Sequence, residues 1–424
     1  MPISIYGQGF GATRGTSRVM IGGVEVASYL AWGQHNAHNT GLDVIVVQPG
    51  QFVVGGAIVV TAAGQTSNAD QSVQRNSGRV LVIARNGADA ADCSLATPCA
   101  TIGAVVARMQ PGDTVLVRGG DYPESEVWIR GDHGQSGTPG QQKVVKAYPG
   151  EPVVLSNADR PFIVDADFIT VAGIEFRNGE SLGIPDTGLP GHRGDRFIDH
   201  TFAGLIARSA IDTHGNDHLV AGNVCQVTGS TVGTQGHCYY VSYGSGVKLR
   251  YNVGSGAPGY GIHVFDQQRS TSDFRRTITN LLIEGNTLTG STLRSGLIIA
   301  MNDEGGWGNA VDRVVVRGNS FGGNNHLGLL VIGLVRNVTV ENNTFDENGR
   351  QGIHIAGETG VSNVAISGNR LVQSANSTCR QDCSRYAIAH IEVSGPPGVA
   401  SVNANTYAPG PPVLLGVADP SPRS

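Results

Sequence analysis

The chain has 424 residues, a formal net charge of −5 and 61 glycines. Glycine is therefore about twice as frequent as in ordinary globular proteins. The apolar residues are mainly Val, Ile and Ala in short runs, which predict buried β-strands separated by turns. No basic block indicates a nucleic-acid partner, and no apolar run approaches the roughly 18 residues of a membrane span. The composition thus predicts a soluble all-β protein.

The six cysteines are arranged as short loops. CSLATPC closes a loop over 93–99 and CRQDC a loop over 379–383, and neither has the further ligands of a zinc site. Such loops predict disulfides and an oxidising compartment, so we expect a secreted or cell-surface protein whose export signal has been removed ahead of MPISIYGQGFG. Cys225 and Cys238 are predicted either to form a third disulfide or to be small buried residues.

Residues 1–66 alternate in the manner of β-strands. The GxxFG turn at 7–11 and the VxIGG hairpin at 19–23 resemble the IPT/TIG domain, a small immunoglobulin-like β-sandwich often attached to secreted enzymes and surface proteins. The resemblance implies a role in spacing, dimerisation or substrate contact. The polar stretch 67–78 is predicted to be a linker.

A second unit begins at residue 79 with the strand RVLVIARNG. A short amphipathic helix in ATIGAVVARM, the strand PGDTVLVRGGDY and the segment AYPGEPVVL follow in that order. This order resembles the N-terminal cap of right-handed parallel β-helices, the scaffold of many polysaccharide lyases. A cap is needed because the first coil would otherwise expose an apolar end and an unpaired strand edge.

From residue 168 the sequence repeats a strand–Asn–strand unit. The repeated asparagines are Asn223, Asn252, Asn286, Asn319, Asn343, Asn369 and Asn405. Their separations of 24 to 36 residues fit coils that carry loops of different lengths. We expect each Asn to lie in the bend between two sheets, in a left-handed conformation, and to hydrogen-bond the Asn of the next coil. The predicted fold is therefore all-β, with a right-handed parallel β-helix over 79–407 and a tail at 408–424.

A second strand of each coil can be aligned from GHCYYVSY, GYGIHVFD, SGLIIAMN, LGLLVIGL and QGIHIAGE. Because strand side chains alternate, each strand gives one inward and one outward residue. The inward column is predicted to contain Val241, Val264, Ile299, Val331 and Ile355, and the outward column Tyr240, His263, Ile298, Leu330 and His354. Tyr243 and Asp266 should lie where their strands enter the turn, and His214 should lie one coil before Tyr243.

Long insertions at 180–200, 269–279 and 302–312 surround these coils, and long loops over one face of a solenoid build a cleft. We predict Tyr240, Tyr243 and His263 as proton-transfer residues, His214 as a second catalytic group, Arg269 as a carboxylate clamp, and His237, Asp266, Asp303, Glu304 and Trp307 as substrate-binding residues. In the alternative interpretation, His237 and the tyrosines are wall residues, because β-helix repeats in general carry phrases similar to GHCYYVSY followed by GYGIH.

The layout and the cap resemble the alginate lyase and chondroitinase B group. The resemblance implies β-elimination, in which a uronate carboxylate is neutralised, a base removes the C5 proton and an acid protonates the leaving oxygen. That group's catalytic Lys falls at Tyr243 and its Arg near His263, so neither is retained, and no paired Glu for calcium precedes them. A lyase with a Tyr/His pair remains, since nearby positive charge can lower the pKa of a tyrosine.

Three alternatives stay open. A glycoside hydrolase needs two carboxylates that face one substrate, and Asp266 with Asp303 or Glu304 could supply them, with Trp307 stacking on a sugar ring. A mannuronan C5-epimerase shares the Tyr/His chemistry, although its DPH context is not matched. A non-catalytic protein would bind glycans through the same aromatic residues. No cofactor is required by any of these, and calcium at Asp303 and Glu304 is a weak signal.

Lys248 and Arg250 alternate with apolar residues on the strand that leads to Asn252. They should face outward on a different sheet from Tyr240, because a glycine turn separates the two strands. We interpret both as part of a solvated face and not as catalytic residues.

Overall fold

The computed structural model consists mostly of β-strands. It describes residues 3–34, 42–74, 76–124, 126–156, 162–177, 182–183, 191–206, 208–230, 233–266, 276–303, 306, 308–372, 390–408 and 413–417. No helix in these ranges is long and apolar enough to cross a membrane.

The N-terminal unit is a small antiparallel β-sandwich. Its strands are Ile3–Gly7, Arg18–Ile21, Val24–Glu25, Ser28–Gln34, Asp43–Gln48, Gly55–Ala62, Gln65–Thr66 and Ser72–Gln74. Val19, Ile45 and Val47 are fully buried between its two sheets. Ser72–Gln74 pairs with the start of Gly55–Ala62, so a strand of the sandwich lies inside the stretch 67–78 that the sequence suggested as a linker.

The rest of the described chain is a right-handed parallel β-helix, and each coil contributes strands to three sheets, I, II and III. Sheet I contains Val80–Ile83, Thr114–Val117, Lys143–Ala147, Ile169–Ala172, Arg196–Ile198, Leu219–Ala221, Lys248–Arg250, Ile278–Glu284, Val311–Arg317, Val335–Glu341, Ser362–Ser367 and Ala400–Asn403. Sheet II contains Gly120–Tyr122, Val153–Leu155, Ile174–Arg177, Thr201–Ile206, Val224–Ser230, Val253–Ser255, Thr287–Thr289, Ser320–Gly322, Thr344–Asp346, Arg370–Val372 and Thr406–Ala408. Sheet III contains Val127–Arg130, Phe162–Asp165, Leu182–Gly183, Ser209–Asn216, His237–Ser245, Ile262–Val264, Leu297–Met301, Leu329–Gly333, Ile353–Ala356, Ile391–Ser394 and Val413–Val417. The short strand His192–Arg193 pairs with the end of Ser209–Asn216.

The first coil is capped by the short α-helix Ile102–Val106, as the sequence predicts. The Thr101 hydroxyl accepts a hydrogen bond from the Ala104 amide, and the Glu124 carboxylate accepts bonds from the amides of Ile102 (2.7 Å) and Gly103 (2.9 Å). These acceptors satisfy the amides that open the helix. Ile102, Val105 and Val106 are buried and cover the apolar end of the coil.

The asparagine ladder is confirmed. From Asn223 to Asn405 each Asn amide group donates to the side-chain oxygen of the next Asn at 2.9 Å, and the backbone amide donates to the same oxygen. A second, shorter ladder joins Asn324 to Asn348 at 2.8 Å. These hydrogen bonds fix the position of each bend relative to the bend of the next coil, because a buried amide without a partner costs free energy.

The predicted left-handed conformation of the ladder asparagines is wrong by one residue. The left-handed residues are those immediately before each Asn, namely Gly222, Tyr251, Gly285, Gly318, Asn342, Gly368 and Ala404. A residue in the left-handed conformation bends the chain through its backbone alone, so its side chain need not form a hydrogen bond. Glycine adopts this conformation without steric cost. The ladder Asn directly precedes the next strand, and its side chain is directed along the coil axis towards the next Asn.

The described part of the chain contains two disulfides, Cys93–Cys99 and Cys225–Cys238. The second resolves the alternative that the sequence left open and joins a sheet II strand to the sheet III strand that carries Tyr240. The loop over 379–383 lies outside the described residues.

Candidate functional site

The strand register confirms that the predicted outward column of sheet III lies on one face, although His263, Ile298 and His354 in it are buried. Tyr240 pairs with His263, His263 with Ile298, and the column continues through Leu330 and His354. The inward column, Val241, Val264, Ile299, Val331 and Ile355, is fully buried. Alternation therefore brings Tyr240 and His263 together, and their ring centroids are 4.8 Å apart.

Asp212 extends this column one coil upstream, because it pairs with Tyr240. It is half-buried and precedes His214 by two residues on the same strand. Sequence reasoning missed Asp212, although the alternation in SAIDTHGND places it on the same side of the strand as His214.

His237 and His263 form a hydrogen-bonded pair beside Tyr240. Nε2 of His237 lies 3.0 Å from Nδ1 of His263, and Nδ1 of His237 accepts a 3.0 Å hydrogen bond from the Tyr260 amide. A backbone amide can only donate, so the neutral His237 carries its proton on Nε2 and donates it to His263. His263 then carries its own proton on Nε2, and this N–H is available to donate a hydrogen bond to a ligand.

Both imidazoles are neutral at pH 7. Burial, and then the charge of Arg294, lower the pKa of His237 to about 3. Burial, followed by the charges of His237 and Arg294, also lowers the pKa of His263 well below its usual value. Desolvation disfavours the charged imidazolium in each case. The pair is therefore suited to donating a hydrogen bond without adding charge.

Tyr260 completes the aromatic surroundings of this pair. Its ring stacks 5.6 Å from His237 and lies 4.9 Å from His263, and burial raises the pKa of its hydroxyl. Tyr260 was missed as a site residue, although it stands in the GYGIH phrase that placed His263.

His214 and Tyr243 form the second half of the cluster. The register pairs them across neighbouring coils as predicted, after a bulge in the strand pairing, and their ring centroids are 5.5 Å apart. His214 also lies 6.4 Å from the ring of Tyr240. The cluster thus runs continuously from His214 through Tyr240 to His263.

An arginine that the sequence did not single out lies against Tyr243. The guanidinium carbon of Arg276 is 4.8 Å from the centre of the Tyr243 ring, and Nη1 is 3.4 Å from both carboxylate oxygens of Asp266. Asp266 also accepts a 3.2 Å bond from the Ser242 hydroxyl. Arg276 and Asp266 are almost completely buried. Asp266 was predicted to contact substrate, but its carboxylate contacts these two residues instead.

The remaining predicted residues fall in the loops. Arg269, Glu304 and Trp307 lie outside the described residues. Asp303 accepts a 2.8 Å hydrogen bond from the Gly308 amide, which shapes the turn after Leu297–Met301. Within the described ranges no three His, Cys, Asp or Glu side chains are grouped to hold a metal ion.

Some nearby residues are structural. The Tyr239 hydroxyl donates to the carbonyl oxygens of Asn223 (3.1 Å) and Val253 (2.8 Å) inside the core. Lys248 is exposed on sheet I, and Arg250 forms an ion pair with Glu284 at 2.6 Å. Both basic residues thus face away from Tyr240, as predicted.

A further cavity lies away from this cluster. It is a groove of about 1350 Å³ between the sandwich and sheet I, with Gln48, Lys146 and Arg196 among its lining residues. The Tyr6 hydroxyl crosses the same junction and donates to Asp199 at 2.7 Å. We place the candidate site at the Tyr/His cluster because it brings four imidazole and phenol groups into mutual contact, whereas the Tyr6–Asp199 pair in the groove joins the two domains.

A comparison with protein families supports the fold. A family model described as the right handed beta helix region matches residues 209–390, which include the whole cluster. No curated protein matches the sequence. Among solved structures, the A-module of the mannuronan C-5 epimerase AlgE4 from Azotobacter vinelandii is similar at 14% identity and a TM-score of 0.47, with 72% of this chain and 89% of that chain covered. An alginate lyase from Paenibacillus sp. str. FPU-7 is similar at 12% identity and a TM-score of 0.46, with 80% and 99% covered. A protein named glycoside hydrolase is similar at 10% identity and a TM-score of 0.46, with 80% and 96% covered.

Proposed function

We propose that this chain is an exported polysaccharide lyase that cleaves a uronic-acid-containing polysaccharide by β-elimination. The single observation that carries the proposal is the contact between Tyr240 and His263, two potential proton-transfer groups on adjacent coils whose ring centroids are 4.8 Å apart. His214 and Tyr243 continue the same face. A wall of structural residues would not need four such groups together.

The chemistry requires a base, an acid and stabilisation of negative charge. The base removes the C5 proton of the uronate, the electron pair forms the C4–C5 double bond, and the C4–O bond breaks. The leaving oxygen then takes a proton from the acid. His263, which presents N–H at Nε2, is suited to stabilise the developing negative charge by donating a hydrogen bond to the substrate, and Tyr240 and His214 are the adjacent candidates for the base and the acid.

The hydrolase alternative has less support. Asp266, one of its two carboxylates, has no exposed side-chain surface and is ion-paired with Arg276. A catalytic carboxylate must reach the glycosidic oxygen or the anomeric carbon. The epimerase alternative shares proton removal at C5 with the lyase and differs in the second step, in which the proton returns to C5 from the opposite face.

The test is incubation of the full chain with alginate, polygalacturonate, glycosaminoglycans and neutral glycans in D2O. A lyase produces the ultraviolet absorbance of an unsaturated uronate. An epimerase incorporates deuterium at C5 without that absorbance, and a hydrolase releases reducing ends without it. Tyr240→Phe and His263→Ala should abolish the unsaturated product, and full activity in both variants would contradict the assignment of this site.

A further inference from the structure

Two arginines and a histidine lie on consecutive coils next to the His237–His263 pair. Arg294, His326 and Arg350 each stand three residues before a sheet III strand. The His326 amide donates to the Arg294 carbonyl at 3.3 Å, and the Arg350 amide donates to the His326 carbonyl at 2.9 Å. The three residues are therefore stacked along the helix axis, about 5 Å apart. We refer to them as the basic ladder.

The histidine pair extends the basic ladder by one coil. The position equivalent to Arg294 in the preceding coil is Gly259, and a Cβ there would lie 2.3 Å from Nδ1 of His237. The His237 ring thus fills the space that a side chain at residue 259 would take. The ladder and the proposed catalytic cluster therefore form one continuous surface.

This surface carries positive charge. The charge of Arg294 acts on His237, Tyr260 and His263, and it acts together with Arg350 on His326. Burial is the main cause that lowers the pKa of His326 to about 4, so the two arginines supply the charge at neutral pH. Nε2 of His326 is buried and makes no hydrogen bond within the described part of the chain. Arg294 is exposed, and His326 and Arg350 are half-buried.

We propose that the basic ladder binds the anionic groups of a polysaccharide chain that runs along the helix axis from His263 towards Arg350. The proposal rests on the proposed function and adds the direction of the chain and the residues that hold its charged groups. Guanidinium groups pair with carboxylates and sulfates through two parallel hydrogen bonds. The guanidinium groups of Arg294 and Arg350 are two coils apart, about 10 Å, which is roughly the length of two sugar residues and suits a linear charged polymer.

The experiment measures binding separately from turnover. Calorimetric titration of the full chain carrying Tyr240→Phe uses oligogalacturonate as a carboxylate probe, dextran sulfate as a sulfate probe and dextran as a neutral probe. Adding Arg294→Ala should weaken binding of the anionic probe about tenfold, the scale of one lost charged hydrogen bond. Arg350→Ala should act in the same direction, and both should reduce the sensitivity of the affinity to salt.

Lys248→Ala is the matched control, because it removes one exposed positive charge on sheet I and should leave the affinity unchanged. Loss with oligogalacturonate identifies carboxylate as the anion, and loss with dextran sulfate identifies sulfate. Equal affinity of Arg294→Ala, Arg350→Ala and their parent, or no binding of either anionic probe, would overturn the proposal. Arginine-dependent binding without an unsaturated product in the wild type would keep the ladder and reject the lyase.

Discussion

Nε2 of His237 lies 3.0 Å from Nδ1 of His263, and the far side of His237 is held by a backbone amide and not by a carboxylate. Because the Tyr260 amide can only donate, it determines the tautomers of both imidazoles. A carboxylate in its place would have favoured a charged His237. The protein thus orients a neutral hydrogen-bond donor at His263 through two uncharged groups, the His237 ring and the Tyr260 amide.

Replacement of His237 should show whether it orients the His263 ring for catalysis or contributes to substrate binding. His237→Phe leaves His263 free to take either tautomer, so we expect kcat to fall by about a hundredfold with little change in KM. Gln can accept from the Tyr260 amide and donate to Nδ1 of His263, so His237→Gln should restore most of kcat. Nitrogen-15 NMR shifts of the His263 ring should show a mixture of tautomers in the Phe variant alone. Unchanged kcat and shifts in His237→Phe would reject the positioning role.

The sequence predicted on which side of a strand a side chain lies better than it predicted which residues of the turns and loops reach the site. Alternation and the Asn repeat were sufficient to place Tyr240 beside His263 and His214 beside Tyr243. Arg276 could not be assigned in the same way, because it lies near the end of the long insertion at 269–279, whose length does not determine where the chain re-enters the coil. The amide of Tyr260 was also beyond the sequence, since its role depends on turn geometry.

The two adjacent tyrosines on one strand provide a matched pair of variants. Tyr240→Phe should lower kcat by about 10²–10⁴-fold at nearly constant stability, because its hydroxyl belongs to the proposed proton-transfer group. Tyr239→Phe should keep the activity of the folded protein and lose about 1–3 kcal/mol of unfolding free energy, because two buried carbonyl oxygens lose their donor. Activity and urea unfolding measured on both variants check this. A reversed pattern would show that Tyr240 is the wall residue.

The asparagine ladder should be most sensitive at its centre. Asn286 accepts from the amide and side chain of Asn252 and donates to Asn319 and to the Leu249 carbonyl, all within buried surroundings. Asn286→Ala therefore leaves several buried groups without partners and should cost at least about 3 kcal/mol. Asn405→Ala, at the partly exposed end, should cost about 1 kcal/mol. Equal losses of unfolding free energy would argue against a cooperative ladder.

His200 makes the stability of the coil dependent on pH. Its amide donates to the Asn223 side chain at 2.9 Å, which places His200 at the head of the asparagine ladder. Complete burial lowers the pKa of His200 to about 4. Between pH 6.5 and 4 the unfolded chain binds the proton and the folded chain does not, so the unfolding free energy falls as pH decreases through this window.

His200→Asn should remove that dependence while keeping the ladder. An asparagine at this position can accept the Ile174 amide hydrogen bond that His200 Nδ1 accepts at 3.2 Å, and it has no titrating group. Urea unfolding at pH 7.5, 5.5 and 4.5 should show that the wild type loses up to about 3 kcal/mol more than the variant on acidification. The other buried histidines titrate equally in both proteins and cancel in the comparison. Parallel pH profiles of the two proteins would mean that His200 is not the residue that the acid must protonate.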